Sequence, residues 1–229
     1  ENNHLNLELK HSYPSLADID YGYFPAPHQV NVLKRHNIEY SNVSKKVFGV
    51  PDDWEWHPCL EFSEQDYDLV DLFLAKLIKR KSIFIETFAG SGQSLLDEGM
   101  IATAMTLCNK HWGECNFIFA SHKFLRNNEM FPSYLFEQPN VYSCADFTVR
   151  QCALIAGSSD LIISVSSGLT VAASCWYNKP VKILQFTGSE VCSTKSIALG
   201  RFELVTADER SLDTAKEEFY SKLKIMLNE

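Results

Sequence analysis

A short polar turn at residues 164–170, called the serine turn below, has the composition of an anion-binding site. It follows Leu161-Ile162-Ile163, an apolar run typical of a strand that is buried on both faces. The turn contains Ser166, Ser167 and Gly168, and a glycine at this point allows a ligand to approach the backbone closely. Backbone N–H groups and small hydroxyls there can hold a phosphate. Taken alone, the stretch is equally consistent with a plain strand-to-helix connection.

A second turn of similar chemistry, the glycine-rich turn, lies at residues 89–94. It directly follows a strand predicted at 82–88, which carries Glu86 near its end. Neither turn has the lysine of a P-loop, which argues against a kinase or an ATPase. Ligands of open parallel sheets bind beyond the carboxyl ends of the strands. Two such turns at one edge of a sheet are therefore suited to hold a diphosphate through neutral hydrogen bonds.

The elements around these turns alternate between helices and strands. Ser63 is a good N-cap for a helix whose apolar residues recur at helical spacing up to Lys79-Arg80-Lys81, and Asp146 is the expected N-cap of a later helix. Further strands are predicted at 117–120, 141–142, 181–186 and 202–205, and further helices at 95–111, 147–156, 170–176 and 212–227. This alternation predicts an α/β fold, a Rossmann-like parallel sheet with helices on both faces.

The first 62 residues differ in character from the rest of the chain. They are rich in aromatic residues, histidine and asparagine, and proline interrupts them repeatedly, so only a short helix at 28–37 is predicted there. We therefore predict two parts, an irregular arm or reduced acceptor-side segment at 1–62 and the Rossmann-like domain at 63–229. The chain begins with Glu1 rather than Met, and we expect a processed polypeptide or a piece of a longer one that carries an additional domain.

Composition and charge exclude several classes of protein. Of 229 residues, 29 are acidic and 21 basic, and the net charge of -8 argues against a nucleic-acid partner, which needs a basic surface. The apolar runs are too short for a membrane span. The seven cysteines form no C-x-x-C pair, which favours buried free thiols in the cytoplasm over a disulfide framework or a metal site.

One alternative interpretation starts from the turn at 88–92. The sequence Phe-Ala-Gly-Ser-Gly directly after a strand is similar to the first motif of S-adenosylmethionine-dependent methyltransferases. Those enzymes usually end the next strand with an acidic residue that binds the ribose. Here that strand ends in Ala120-Ser121-His122-Lys123, without an acid. The methyltransferase hypothesis also leaves the serine turn unexplained.

The order of motifs resembles more closely the donor half of a GT-B glycosyltransferase, in particular the ADP-heptose lipopolysaccharide heptosyltransferase family. The resemblance covers the phrase at 60–65, the strand and turn at 83–94, and above all residues 148–173 followed by Asn178-Lys179-Pro180-Val181. It implies a Rossmann-like nucleotide-sugar-binding domain that transfers a sugar to a glycan hydroxyl without a metal or other cofactor. The chain departs from the family at Ser166, where the family has Asp, and at Val171, where it has His, so the identity of the sugar stays open.

The resemblance implies that two sets of residues hold the donor diphosphate. They are Ser166, Ser167, Gly168, Leu169 and Thr170 on one side, and Ala89, Gly90, Ser91, Gly92, Gln93 and Ser94 on the other. Residues at the ends of the next two strands are the candidates for contacts with the nucleoside: His122, Lys123, Tyr142 and Ser143. The candidates for a catalytic base are Glu86, at a strand end, and Asp18, Asp20 and His28, in a polar and aromatic segment. A non-catalytic module that binds a sugar or a protein is the remaining hypothesis.

Overall fold

Eight strands and five α-helices are found in the computed structural model, which describes residues 60–89, 95–121, 123–124, 129–174, 181–188, 201–207 and 211–229. In these ranges the strands are β1 Lys81–Glu86, β2 Cys115–Phe119, β3 Lys123–Phe124, β4 Glu129–Met130, β5 Val141–Ser143, β6 Leu161–Ser164, β7 Lys182–Thr187 and β8 Phe202–Thr206. The helices are α1 Glu64–Leu74, α2 Glu98–Trp112, α3 Val149–Gly157, α4 Gly168–Ala173 and α5 Leu212–Leu227, and a 3₁₀ helix spans Ser133–Glu137.

Six of the strands form one parallel sheet in the order β5-β2-β1-β6-β7-β8. The chain starts in the middle at β1, moves outward through β2 to β5, and then returns to the other side of β1 with β6. The order therefore reverses between β1 and β6, as in the doubly wound Rossmann fold. This confirms the predicted α/β class. β3 and β4 form a separate antiparallel pair that the sequence did not predict.

Alternation along the strands divides the core into two layers, one on each face of the sheet. In β1, for example, Ile83 and Ile85 face the layer that contains α2 and α5, whereas Phe84 faces the layer that contains α1, α3 and α4. All these strand residues are at most 1% exposed. Because helices cover both faces, the central strands are apolar on both sides, as parallel sheets require.

The start of α1 is as predicted, but its end is not. The Ser63 hydroxyl accepts a hydrogen bond from the Asp66 N–H, and the Asp66 carboxylate accepts one from the Ser63 N–H, which completes a capping box. The helix ends at Leu74, several residues before the predicted basic end. The Tyr142 hydroxyl accepts from the N–H of Ile78 and donates to the carbonyl of Lys76, so side-chain contacts hold this segment as a turn that leads into β1.

The expected N-cap of α3 was wrong. Thr148, not Asp146, caps the helix: its hydroxyl accepts from the N–H of Gln151, and the Gln151 amide oxygen accepts from the N–H of Thr148. The reciprocal capping box satisfies two backbone donors, which a single aspartate cap does not. The boundaries of α5, in contrast, agree with the prediction at both ends.

Other sequence predictions concern cysteines, membrane spans and domains. Cys108, Cys115, Cys144 and Cys152, the four cysteines in the described ranges, are free and buried, as expected. Among the described helices, none has the length and apolarity needed to cross a membrane. The helix at 28–37 and the division at residue 62 remain predictions, because residues 1–59 lie outside the described ranges.

Asn116 fixes the amino end of β1 against β2. Its side chain is fully buried in the structure, and its amide oxygen accepts from the N–H of Lys79 at 3.0 Å. Its amide nitrogen donates to the carbonyl of Lys79 at 2.8 Å and to the hydroxyl of Ser82 at 3.2 Å. One buried amide thus satisfies the backbone at the point where the chain enters the central strand.

We predict that Asn116→Ala lowers the free energy of unfolding by about 1–3 kcal/mol, because it leaves partly buried backbone groups of Lys79 without partners. Urea denaturation measures this loss. Lys110→Ala, at an exposed position of α2, is the matched control and should change the free energy of unfolding by less than about 0.5 kcal/mol. Equal effects of the two substitutions would contradict the assigned role of Asn116.

Candidate functional site

The serine turn lies at the point where the strand order of the sheet reverses. β1 ends at Glu86 and β6 ends at Ser164, and these two residues are register partners in adjacent parallel strands. In open α/β sheets, ligands bind in the crevice outside the carboxyl ends of the strands at such a switch point. The fold therefore brings the ends of β1 and β6 to the place where a ligand is expected.

A row of polar side chains crosses the carboxyl ends of three neighbouring strands. Glu86 pairs with Ser164, and Ser164 pairs with Gln185 of β7, so the three residues, called the polar row below, are in register. They follow Phe84, Ile162 and Ile183 by two positions and thus share the face that α3 and α4 cover. All three are buried, with exposures of 5%, 0% and 0%. A polar row in an apolar layer costs free energy unless its groups find partners.

Helix α4 supplies partners for Glu86. The Thr170 hydroxyl lies 2.8 Å from Oε2 of Glu86 and 3.2 Å from the carbonyl oxygen of Val165. Ser167 caps the helix: its hydroxyl accepts from the N–H of Thr170 at 3.1 Å and lies 3.3 Å from the Thr170 hydroxyl. A continuous line of hydroxyls therefore leads from the buried carboxyl to Ser167, which is half-buried at the surface of the serine turn.

Burial controls the charge of Glu86. Desolvation raises the pKa of its carboxyl from 4.5 to about 7, while hydrogen bonding by the Ser167 and Thr170 hydroxyls favours the ionised form and limits the rise. None of the ion pairs found among the described residues includes Glu86. Near neutral pH the site therefore contains a carboxyl group that exchanges readily between its neutral and charged forms.

Ser164 is the exceptional member of the polar row. Within the described part of the chain, its hydroxyl is the one buried side-chain polar atom that has no hydrogen-bond partner. Gln185 differs, because its amide nitrogen donates to the carbonyl of Val165 at 3.3 Å. A buried group without a partner costs about 1–3 kcal/mol, which is accepted more readily at a functional site than in a purely structural core.

Gly168 leaves open space at the surface of the serine turn. It is exposed, and a Cβ atom added to it would have no heavy atom within 4 Å. Its backbone angles are not in the left-handed region, so the fold itself does not require a glycine here. The conformation of the turn does not depend on a glycine at this position, and the absence of a side chain leaves the backbone there accessible.

The remaining candidates for donor binding lie in different surroundings. Ala89 is buried in the core layer that contains α2, and Leu169 packs against the opposite layer. The Tyr142 hydroxyl is bound to the backbone of Lys76 and Ile78, so its contact with a nucleobase stays a prediction. Ser143, at the carboxyl end of β5, accepts from the N–H of Ala145.

Several predicted site residues lie outside the described residues: Asp18, Asp20, His28, Gly90, Ser91, Gly92, Gln93, Ser94 and His122. Lys123 is the first residue of β3, and the structure describes its backbone alone. Of the candidates, the structure thus brings together Glu86, Ser167 and Thr170 by direct contact, with Ser166 and Gly168 on the same turn.

A pair of aspartates at 66 and 68 has a spacing that suits a divalent cation, which prefers carboxylate oxygens. The structure assigns Asp66 another role, because its carboxylate accepts from Ser63 and from the Gln151 amide at 3.1 Å. In the described part of the chain, no group of three or more potential ligands is placed to hold a metal ion.

Sequence reasoning missed Gln185 as a residue of this site. The only signal was a glutamine after the apolar pair Ile183-Leu184 within the predicted strand at 181–186. Its significance depends on register, since only the pairing of β6 with β7 aligns Gln185 with Ser164 and, through it, with Glu86. A single sequence does not specify which strands are neighbours.

We predict that the stability of the protein falls with rising pH because of Glu86. Folding raises the pKa of this carboxyl from 4.5 to about 7. Below pH 4.5 the carboxyl is protonated in both the folded and the unfolded state, so it does not lower the free energy of unfolding. Between pH 4.5 and 7 the free energy of unfolding falls, and above pH 7 this loss is constant. Relative to Glu86→Gln, which does not titrate, the wild-type protein should lose about 3 kcal/mol over this range. Urea denaturation of both proteins between pH 4.5 and 8 measures the difference. A difference that does not change with pH would show that Glu86 ionises normally.

Comparison with known proteins supports the fold but does not assign the chain to a sequence family. No protein-family model matches the chain, and no curated protein matches it significantly. Among solved structures, the chain is similar to the ADP-heptose lipopolysaccharide heptosyltransferase II of E. coli, with a TM-score of 0.54 and 14% sequence identity. The match covers 80% of this chain and 56% of that enzyme, so the chain spans little more than half of its length. The described residues therefore have a fold like that of part of this heptosyltransferase.

Proposed function

We propose that the protein is a glycosyltransferase, or the donor-binding part of one, which transfers a sugar from a nucleoside-diphosphate sugar to a glycan hydroxyl. The observation that carries the proposal is the position of the serine turn and the polar row at the switch point of the sheet, where ligands of this fold class bind. The likeness to a heptosyltransferase fold supports the same class of donor. Ser166 and Val171 replace the Asp and His of the resembled family, so we leave the sugar unassigned.

The serine turn would hold the diphosphate from one side. The Ser166 and Ser167 hydroxyls and the open backbone beside Gly168 are neutral hydrogen-bond donors, and the glycine-rich turn after β1 would supply donors from the other side. Hydrogen-bond donors that are already oriented stabilise the negative charge that develops on a leaving nucleoside diphosphate. Transfer by this route needs no metal ion.

The acceptor hydroxyl needs a base, and Glu86 is poorly exposed for that task. Its carboxyl lies beneath α4 and contacts Thr170, with 5% of the residue exposed. We therefore assign Glu86 to the donor side of the site and assign proton abstraction to Asp18, Asp20 or His28. The buried free thiols favour a reducing compartment such as the cytoplasm.

Thermal unfolding of the full chain with different ligands tests the proposal. UDP, GDP, ADP, CDP and S-adenosylmethionine are added separately at the same concentration. A ligand present at a hundred times its Kd stabilises the folded state by about 2.7 kcal/mol, which a thermal shift detects readily. Stabilisation by one nucleoside diphosphate is the expected result. Stabilisation by S-adenosylmethionine alone would identify a methyltransferase, and no stabilisation by any ligand would favour a non-catalytic module.

We predict that a negatively charged side chain at position 168 weakens binding of the diphosphate much more than a neutral side chain of the same size. Gly168→Asp and Gly168→Asn add side chains of nearly equal volume into open space, so both variants should fold with wild-type stability. Only the aspartate repels a phosphate, and two unit charges a few ångströms apart repel by a few kcal/mol at an effective dielectric constant of about 20. The Kd for the nucleoside diphosphate should therefore be at least about tenfold higher for Gly168→Asp than for Gly168→Asn. Equal Kd values in titration calorimetry would remove the serine turn from the site.

A further inference from the structure

An ionisable group lies directly beneath the proposed diphosphate site. The Glu86 carboxyl contacts the Thr170 hydroxyl, and that hydroxyl lies 3.3 Å from Ser167, whose side chain reaches the surface of the serine turn. The Ser167 and Thr170 hydroxyls therefore lie between the carboxyl and an anion bound at the turn. In a buried setting, charges at this separation interact strongly, because little water screens them.

Among the described residues, the other groups that face Glu86 are neutral or weakly acidic. Ser164 and Gln185 flank it in the sheet, and α4 contributes Ser167 and Thr170. On the side of α3 the titratable neighbours are two buried thiols, Cys144 and Cys152, which lie close enough for the charge of Glu86 to disfavour their ionisation. The hydrogen bond with Cys152, together with burial, raises the pKa of the Cys144 thiol. None of these groups supplies a positive charge that would balance both a carboxylate and a phosphate.

Thr170 accommodates both charge states of Glu86 without a change in geometry. When Glu86 is ionised, the Thr170 hydroxyl donates to Oε2 at 2.8 Å. When Glu86 is protonated, its acidic O–H donates to Thr170, and the Thr170 hydroxyl donates to the carbonyl oxygen of Val165 at 3.2 Å. Since Oε2 of Glu86 is paired with Thr170 in either arrangement, the protein can change the charge under the turn by moving hydrogen atoms alone.

We propose that an anionic ligand at the serine turn binds together with one proton, which Glu86 takes up from the solvent. The inference rests on the proposed function, because it needs a diphosphate at the turn. Binding without the proton would place the phosphate and the carboxylate close together, with the Ser167 and Thr170 hydroxyls between them, and their repulsion would weaken the complex. The proton enters as a solvent proton and stays on the carboxyl, so the ligand and its bonds are unchanged. Glu86 thus acts as a positioning and charge-matching residue.

Titration calorimetry at pH 8 measures the proton directly. The probe for proton uptake is the nucleoside diphosphate that gives the largest thermal shift, measured in two buffers with different enthalpies of ionisation, and inorganic pyrophosphate serves as a probe of binding alone. At this pH a terminal phosphate, with a second pKa of about 6, is fully ionised, so a proton that is taken up goes to the protein. The wild-type protein should take up a fraction of a proton approaching one, and Glu86→Gln should take up none. Cys152→Ala is the matched control for the neighbouring thiol and should behave as the wild type.

The pH dependence of affinity gives a second readout. Between pH 7.5 and 9, the wild-type Kd should rise by about tenfold, whereas that of Glu86→Gln should change by less than about twofold. If the wild-type protein binds with the same enthalpy in both buffers, no proton is taken up. That result overturns this inference and leaves the proposed function intact, even if Glu86→Gln fails to fold. Uptake that is lost in Cys152→Ala overturns it in favour of the thiol. Absence of binding by both probes overturns the inference and the proposed function together.

Discussion

The cost of placing a carboxyl at the end of the central strand is the constraint on which this site depends. β1 is apolar on both faces from Ile83 to Ile85, and at Glu86 a residue that is 5% exposed must find hydrogen bonds inside the protein. It finds them on α4, through the Thr170 hydroxyl. The contact ties the serine turn to β1 across the switch point of the sheet. The residues that would hold a ligand are therefore positioned by the same interaction that makes the burial of Glu86 tolerable.

The topology explains why this contact can form at all. Glu86 and Thr170 are 84 residues apart in sequence, and β2, β5 and α3 lie between them along the chain. The chain first builds the side of the sheet that ends in β5, and β6 then returns to pair with β1. Because the crossovers are right-handed, the helices that follow β1 and β6 cover opposite faces of the sheet. This arrangement leaves a crevice between the ends of the two strands, where the strand order reverses. The serine turn follows β6 and consequently opens into that crevice.

A structural feature could be predicted from the sequence where contacts between residues close in sequence determine it, and not where distant contacts do. The class of fold, the order along the chain of the six strands of the parallel sheet and the Ser63 cap follow from local patterns, and the structure confirms them. The end of α1 and the cap of α3 were wrong because distant or reciprocal contacts decide them, the Tyr142 hydroxyl in one case and Gln151 in the other. Apolar residues recur at helical spacing beyond Leu74, but this local pattern cannot show that a tyrosine from another strand contacts the segment.

The candidate site divides in the same way. Ser166, Ser167 and Gly168 could be proposed from their composition, because small residues after an apolar run are a local signal. The polar row could not, since it exists only when β1, β6 and β7 are aligned in register. Glu86 was selected because it ends a strand, yet its burial and its altered acidity follow from a helix that the chain forms much later.

The substitution of Ser166 for the aspartate of the resembled family acquires a physical meaning in this setting. A carboxylate at position 166 would lie on the turn that we propose for the diphosphate and within a few residues of Thr170, close to the buried carboxyl of Glu86. Two carboxylates and a diphosphate in one poorly solvated crevice would repel one another by several kcal/mol without a compensating cation. With Glu86 beneath the turn, a neutral hydroxyl at 166 is the residue type that the charge balance allows. The acidic group of this site therefore comes from β1 rather than from the turn itself.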